Sequence, residues 1–393
     1  MKLYLNDVGM LCAAGNGKRE VLARLLAGDR SGLVFTDRFS PGRPFAVGRI
    51  DAELPEIGDR FGYYRCRNNR LLLAALEQIR DTVERMVACF GKDRIGCVLG
   101  TSTSGVRNTE LALAHQAQNG SLPDGFHYKQ QQMGSGADFL AACLNLGGPA
   151  YTLSTACSSS GRAIASARRL LRLGLCDAVI VGGADTLCNL TVNGFAALES
   201  LSGGLCKPFG AHRDGINIGE AVSLFVLSRV QGPVELLGIG ATSDAYHFSA
   251  PDPDGLAVGR AMHLALEDAG KRSEEIDYLN LHGTATVLND SMESKAVNAL
   301  FGDAVPASSS KGMTGHTLGA AAALELGFCW LLLNRGDERG RPIPNVSDDT
   351  DDPLLAPLNL ARPGDELKRR IDTCQSNSFA FGGNNISIVV GRA

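Results

Sequence analysis

The chain has 393 residues, 44% hydrophobic and 20% charged, a length that calls for two domains or one large duplicated fold. Its 38 Lys and Arg against 42 Asp and Glu leave a net charge of −4, which excludes a general nucleic-acid or membrane-surface binder and requires any anionic partner to meet a local basic patch. Eleven cysteines without a CxxC pair exclude a disulfide framework or zinc ribbon and fit a reduced, cytosolic chain, while 47 glycines against 15 prolines fit the tight strand-to-helix turns of an α/β enzyme.

Taken from the N-terminus, residues 2–9 read as an apolar strand ending in glycine, and Asp7 comes too early for a signal peptide. Four arginines, Arg60, Arg65, Arg67 and Arg70, crowd into eleven residues. Helical spacing of apolar residues follows over 69–87, then a short apolar strand at 95–100 and a polar turn at 101–105. Ser154-Thr155-Ala156-Cys157-Ser158-Ser159-Ser160 opens a helix whose apolar face is Ala163, Ile164, Ala167, Leu170 and Leu171, and a strand at 178–183 comes next. Gln231-Gly232-Pro233 ends this half, since Gly-Pro stops helices and strands alike.

The second half repeats the first. Residues 234–240 match the strand at 2–9, the helical pattern at 256–269 matches 69–87, and the strand at 276–281 with its turn His282-Gly283-Thr284-Ala285-Thr286 matches 95–105. Ser308-Ser309-Ser310-Lys311-Gly312-Met313-Thr314-Gly315-His316 stands where Ser154 to Ser160 stands, and a strand at 386–390 is expected to answer the one at 178–183. Residues 318–333 are almost wholly apolar but short of a membrane span and carry Glu325, so they read as a helix buried on all sides. Strand, helix and strand alternating twice imply a mixed, largely parallel sheet in two halves, 1–231 and 232–393, packed as one body. The first half is longer, with its excess in 30–65 and 106–150.

Three residues stand out chemically. Cys157 lies at a helix N-terminus, where free N–H groups and the positive end of the dipole are expected to lower a thiol pKa and activate it as a nucleophile. His282 and His316, two of only seven histidines, occupy glycine-flanked turns that the repeat brings to the same end of the sheet.

Ser154-Thr155-Ala156-Cys157-Ser158-Ser159, His282-Gly283-Thr284-Ala285-Thr286 with Asp290 and Glu293 behind it, Lys311-Gly312-Met313-Thr314-Gly315-His316, and Asn377-Ser378-Phe379-Ala380-Phe381-Gly382-Gly383-Asn384 together resemble the elongating β-ketoacyl-acyl-carrier-protein synthases. The resemblance covers nearly the whole chain. It implies the thiolase-like fold, duplicated βαβαβ halves in an α-β-α-β-α body, and a decarboxylative Claisen condensation with malonyl-carrier protein.

By that resemblance Cys157 takes the acyl chain as a thioester, and His282 and His316 stabilise the enolate as CO2 leaves. The N–H groups of Cys157 and Phe381 hold the oxyanion, and Phe381 gates the acyl pocket. Lys311, held by a carboxylate such as Glu293, orients the histidines; Thr284 and Thr286 hold the pantetheine arm; Thr103 lines the acyl tunnel; and Arg60, Arg65, Arg67 and Arg70 receive an acidic acyl carrier protein. No metal and no dissociable cofactor are implied, since substrates ride on the carrier's phosphopantetheine. A homodimer, or a heterodimer with a related subunit, is expected, without nucleic acid or membrane insertion.

Two departures are visible. Ala380 stands where the family has glycine before the gating phenylalanine, which predicts a stiffer loop, and the wording from His282 to Val297 resembles the synthases of aryl-polyene pathways. Alternatives are a thiolase, for which Cys374 lies late in the chain but outside the glycine-rich tip, and a non-catalytic chain-length subunit, which lacks the nucleophile that Cys157 supplies.

Overall fold

The computed structural model describes residues 1–336, 338–348 and 350–393. Ten strands build the main sheet: β1 (Tyr4–Cys12), β2 (Ile95–Gly100), β3 (Ala150–Leu153), β4 (Ala178–Asp185) and β5 (Ala221–Ser228) in the first half, then β6 (Val234–Ser243), β7 (Tyr278–Asn280), β8 (Pro306–Ser308), β9 (Thr373–Phe379) and β10 (Asn384–Arg392) in the second. Their spatial order is β3-β2-β4-β5-β1 and, continuing across the β1–β6 pair, β6-β10-β9-β7-β8. Both halves thus share one order, third-second-fourth-fifth-first. The short strands Gly15–Asn16 and Asn359–Leu360 add to the same sheet.

This order revises two expectations. The strand at 386–390 lies within β10, the fifth of its half, and its counterpart is β5; the counterpart of β4 is β9. The sheet is also less parallel than expected: β2 pairs parallel with β3 and β4, and β7 parallel with β8 and β9, while β1, β5, β6 and β10 pair antiparallel. Strands buried on both faces read as unbroken apolar runs whichever direction their neighbours take. β4 and β5 are buried at every position.

Helices α1 (Ser159–Arg172) and α3 (Ala321–Leu333) form the central layer, with α3 touching strands of both halves. All thirteen residues of α3 are buried, so the apolar segment at 318–333 is the core helix expected of it. The two helices meet where the Ala323 N–H donates to Ser160 Oγ at 2.9 Å. Gly100, ending β2, lets α1 seat on the sheet, because a Cβ there would lie 2.2 Å from the Ser160 nitrogen. The helix expected over 69–87 is broken at Ile79 into Arg67–Gln78 and Arg80–Phe90. A separate three-stranded sheet, Leu33–Thr36, Phe45–Gly48 and Ile218–Gly219, occupies part of the excess of the first half.

Candidate active site

Cys157 sits in the sharp bend between β3 and α1, after Ala156, whose φ of 51° lies in the left-handed region. A non-glycine residue held there marks backbone strain fixed by its surroundings. The bend turns the side chain into the protein, leaving Cys157 5% exposed. Its Sγ lies 2.9 Å from His316 Nε2, and the N–H groups of Phe381 and of Cys157 itself act on the sulfur.

His316 follows the short helix Lys311–Thr314, its N–H donating to the Asn217 carbonyl at 2.6 Å. His282 follows β7, and its ring meets that of His316 edge-on, with centroids 5.3 Å apart. Helix α2 (Val287–Phe301) fixes the His282 turn from behind. Glu293 accepts the N–H of His282 at 2.7 Å and of Gly283 at 2.6 Å, while Asp290 accepts those of Ala285 and Phe209. Thr286 caps α2 by accepting from the Asn289 N–H, and its hydroxyl lies 3.0 Å from that of Thr284.

The Lys311 ammonium donates to the His282 carbonyl at 2.5 Å and to Glu325 Oε1 at 2.5 Å. Glu325, the lone charge in the apolar α3, is therefore its carboxylate partner, in place of Glu293. The reason is geometric: both Glu293 oxygens are occupied by backbone N–H groups, whereas Glu325 points from the central helix into the same pocket, 2% exposed. A buried ammonium and carboxylate without each other would each carry a large desolvation cost.

Burial pushes the Cys157 thiol up to about 12, against the pull of the Lys311 charge and the Phe381 N–H. The expectation of a thiol lowered by the helix N-terminus is corrected here: desolvation outweighs the dipole. Burial, with Lys311 beside them, holds both imidazoles well below the usual histidine range. The resting pair is therefore a thiol against a neutral imidazole. Among the described residues neither histidine Nδ1 has a hydrogen-bond partner, so none of them locks the tautomer. Cys157, His282 and His316 offer donor atoms within 4.8 Å of one another, ligand types a zinc ion accepts, though the Lys311 charge opposes a cation there.

This group lines a cavity of about 340 Å³, within the range of small-molecule sites. Thr284, Thr286, Val287 and Leu288 line one wall, Phe195 and Phe381 another, the two phenyl rings lying 5.5 Å apart. Glu199, Asp214 and Asp244 also face the cavity. Ala380 adopts extended backbone, φ −105° and ψ 152°, a conformation that accommodates its methyl group, and the following turn's freedom resides in Gly382 and Gly383, at φ 79° and 75°.

Two further groups of expected site residues stand apart from this cavity. Thr103 lies away from the cavity, 1% exposed, its hydroxyl donating to Asp185 at 2.8 Å. The arginine cluster is largely engaged in holding its own loop: Arg67 forks onto the buried Glu220 at 2.6 and 2.9 Å, Arg70 donates to the carbonyls of Leu54 and Pro55, and Arg65 donates to Ile57 and pairs with Asp59. Arg60 lies over the Phe61 ring. Loop carbonyls within reach of a guanidinium fork satisfy its donors before any partner arrives. Sequence reading missed Asp185, Phe195 and the pairing role of Glu325. An acidic residue ending the apolar run of β4, and another inside α3, were the available signals.

Residues 66–232 match the family described as β-ketoacyl synthase, N-terminal domain, and residues 234–337 match β-ketoacyl synthase, C-terminal domain. The chain belongs to the β-ketoacyl synthase family. It resembles 3-oxoacyl-(acyl-carrier-protein) synthase 2 of Staphylococcus aureus (strain MRSA252), 31% identical with 99% of this chain and 98% of that protein covered. The enzyme of the same name from Rhizobium meliloti (strain 1021) is 37% identical over 63% of this chain, which spans 62% of that relative's length. Among solved structures, the ketosynthase ApeO in complex with its chain length factor ApeC, from Xenorhabdus doucetiae, superposes with a TM-score of 0.93 at 45% identity, covering 100% of this chain and 98% of that one. The ishigamide ketosynthase/chain length factor gives 0.88 at 28% identity, with 100% and 99% covered. The β-ketoacyl synthase described here is thus a ketosynthase of the elongating kind with the thiolase-like fold.

Proposed function

We propose that the protein condenses an acyl group held on Cys157 with a malonyl-carrier protein, releasing CO2 and a 3-oxoacyl-carrier protein. The observation that carries this reading is the 2.9 Å contact of Cys157 Sγ with a neutral His316, with His282 facing it, in the lining of the cavity. In the first half-reaction the sulfur attacks the carrier thioester, and the thiol proton passes by way of His316 to the departing pantetheine sulfur. The Cys157 and Phe381 N–H groups face the carbonyl oxygen that becomes negative.

In the second half-reaction the C–C bond to the malonyl carboxylate breaks and CO2 leaves. The electron pair forms an enolate whose oxygen accepts from the N–H of His282 and, with the His316 proton moved from Nδ1 to the Nε2 that faces Cys157, from the N–H of His316. The enolate carbon attacks the acyl thioester and expels the Cys157 thiolate, which takes up one proton from solvent. Neutral imidazoles serve here because each carries one N–H to donate without presenting a full charge to a buried site. Thr284 and Thr286 line the approach for the pantetheine arm, and Phe381, packed on Phe195, gates the acyl side. No metal and no dissociable cofactor are required by this chemistry.

The partner reading is a heterodimer with a chain length factor, supported by the 45% identity to a ketosynthase solved in that state. Leu111, Leu113 and Leu190, exposed on the neighbouring helices Val106–Asn119 and Asn189–Ala197, supply apolar surface for such a subunit. The wording from His282 to Val297 supports synthesis of the aryl-polyene kind. We assign carrier docking to Arg60, exposed beside the Phe61 ring, and a cytoplasmic location. Among the described residues no helix is long and apolar enough to cross a membrane.

Intact-mass analysis after exposure to a panel of acyl-carrier proteins tests the reaction. An adduct of acyl mass on the wild type and none on Cys157→Ala is expected. An adduct that survives Cys157→Ala overturns the assignment.

A further inference from the structure

Asp185 ends β4 and is fully buried. Its carboxylate accepts from Thr101 Oγ1 at 2.6 Å, Ser102 N at 2.8 Å, Thr103 N and Oγ1 at 2.8 Å each, and Gly319 N at 2.6 Å. The first four donors belong to the turn after β2 in the first half. The fifth belongs to the second half, three residues beyond His316.

The crossing contact is built so that little else fits. A Cβ on Gly319 would lie 2.7 Å from Asp185 Oδ2 and 2.8 Å from Ser102 N, and Leu318 before it is held at φ 51°. Ser102 also sends its hydroxyl to the Ala156 carbonyl at 3.3 Å, so the same cluster braces the strained bend that carries Cys157. One carboxylate therefore joins the turn after β2, the Cys157 bend and the His316 turn, while lying outside the cavity lining.

We propose that Asp185 is a positioning residue that, by gripping the Gly319 N–H across the two halves, sets His316 Nε2 against Cys157 Sγ. All five donors converge on one buried carboxylate and one of them comes from the other half, and the strain at Ala156 and Leu318 flanks the contact it controls. The inference rests on His316 acting on Cys157.

The sign of the effect separates positioning from simple electrostatics. The Asp185 charge raises the Cys157 pKa, so neutralising it without loss of grip would speed thiol alkylation, whereas loss of grip slows it. Asp185→Asn keeps the shape and one acceptor oxygen but sets an amide where the Gly319 N–H needs an acceptor. Iodoacetamide labelling of Cys157, followed peptide by peptide by mass spectrometry on the full chain, is expected to slow about tenfold or more in Asp185→Asn, as small misplacements of reacting groups do. In a His316→Ala background the same change should add no further slowing.

Labelling that is unchanged or faster in Asp185→Asn, a fall in melting temperature alone, or full additivity with His316→Ala each overturns the inference. If His316→Ala itself leaves labelling unchanged, the reading of the Cys157–His316 pair fails first and this one falls with it. Thr101→Val removes one hydroxyl donor at lesser risk to folding, and slowing in the same direction is expected; no slowing there counts against the proposal.

Discussion

Cys157 has to act as a nucleophile while 5% exposed, and burial works against it by favouring the thiol. Its reactivity must come from a proton acceptor already in contact, and His316 Nε2 is that group. Replacing His316 with alanine should lower acyl transfer by about 10²–10⁴-fold, the span of a general base, read as the rate of acyl-enzyme formation by mass. The imidazoles make a pH prediction as well. Their folded pKa values lie well below the ordinary 6.5, so the unfolded chain takes up protons that the folded one refuses, and stability present above pH 6.5 is lost as pH falls toward the folded values. The melting temperature should decline from pH 7 to pH 5, and less steeply in His282→Ala, while the acid limb of kcat/KM should fall below pH 6.5. At this scale the identities of Cys157, His282, His316 and Lys311 were legible from residue type and glycine-flanked turns. The direction of the Cys157 shift was not, because a helix terminus is visible in sequence and the depth of burial is not.

The elements that hold the site rely on buried charge. Lys311 joins the His282 carbonyl to α3 through Glu325, and Glu325→Ala would leave a buried ammonium unpaired, at a cost of about 3–5 kcal/mol. Thermal unfolding should report that loss. The double replacement Lys311→Met with Glu325→Leu should recover much of it while activity stays lost, since the His282 carbonyl then lacks the ammonium that holds it. Arg67 presents a similar case, forking onto Glu220, which is 1% exposed. Arg67→Ala should therefore lower the melting temperature and impair small thioester substrates and carrier-bound ones alike, whereas Arg60→Glu should slow only the carrier-bound ones. Helix starts, the apolar α3 and the repeat of 2–9 at 234–240 could be read from spacing alone. The counterpart of β4 could not, because β9 carries Gln375, Ser376, Asn377 and Ser378, of which Gln375 and Asn377 bond Ser387 of β10 inside the sheet, and so hides the apolar run expected of a buried strand.

Two halves with the same strand order meet along β1 and β6, and the site lies where their loops converge: Cys157 from one, and His282, Lys311, His316 and Phe381 from the other. The exposed leucines of helices Val106–Asn119 and Asn189–Ala197 make a subunit contact testable as a whole. Co-expression with a chain length factor should give a stable heterodimer by light scattering, and Leu113→Glu with Leu190→Glu should dissociate it without changing the fold of the chain by circular dichroism. The sequence by itself determined the duplicated α/β plan, the nucleophile and both histidines, because each is announced by periodicity or by a turn of distinctive residues within a few positions. Only the tertiary structure decided which carboxylate answers Lys311, that Thr103 faces Asp185, that the arginines hold their own loop, and that Asp185 bridges the halves. Those pairings join residues from 6 to 153 positions apart, and they are settled by the competition among buried polar groups for partners, which exists only once the chain has folded.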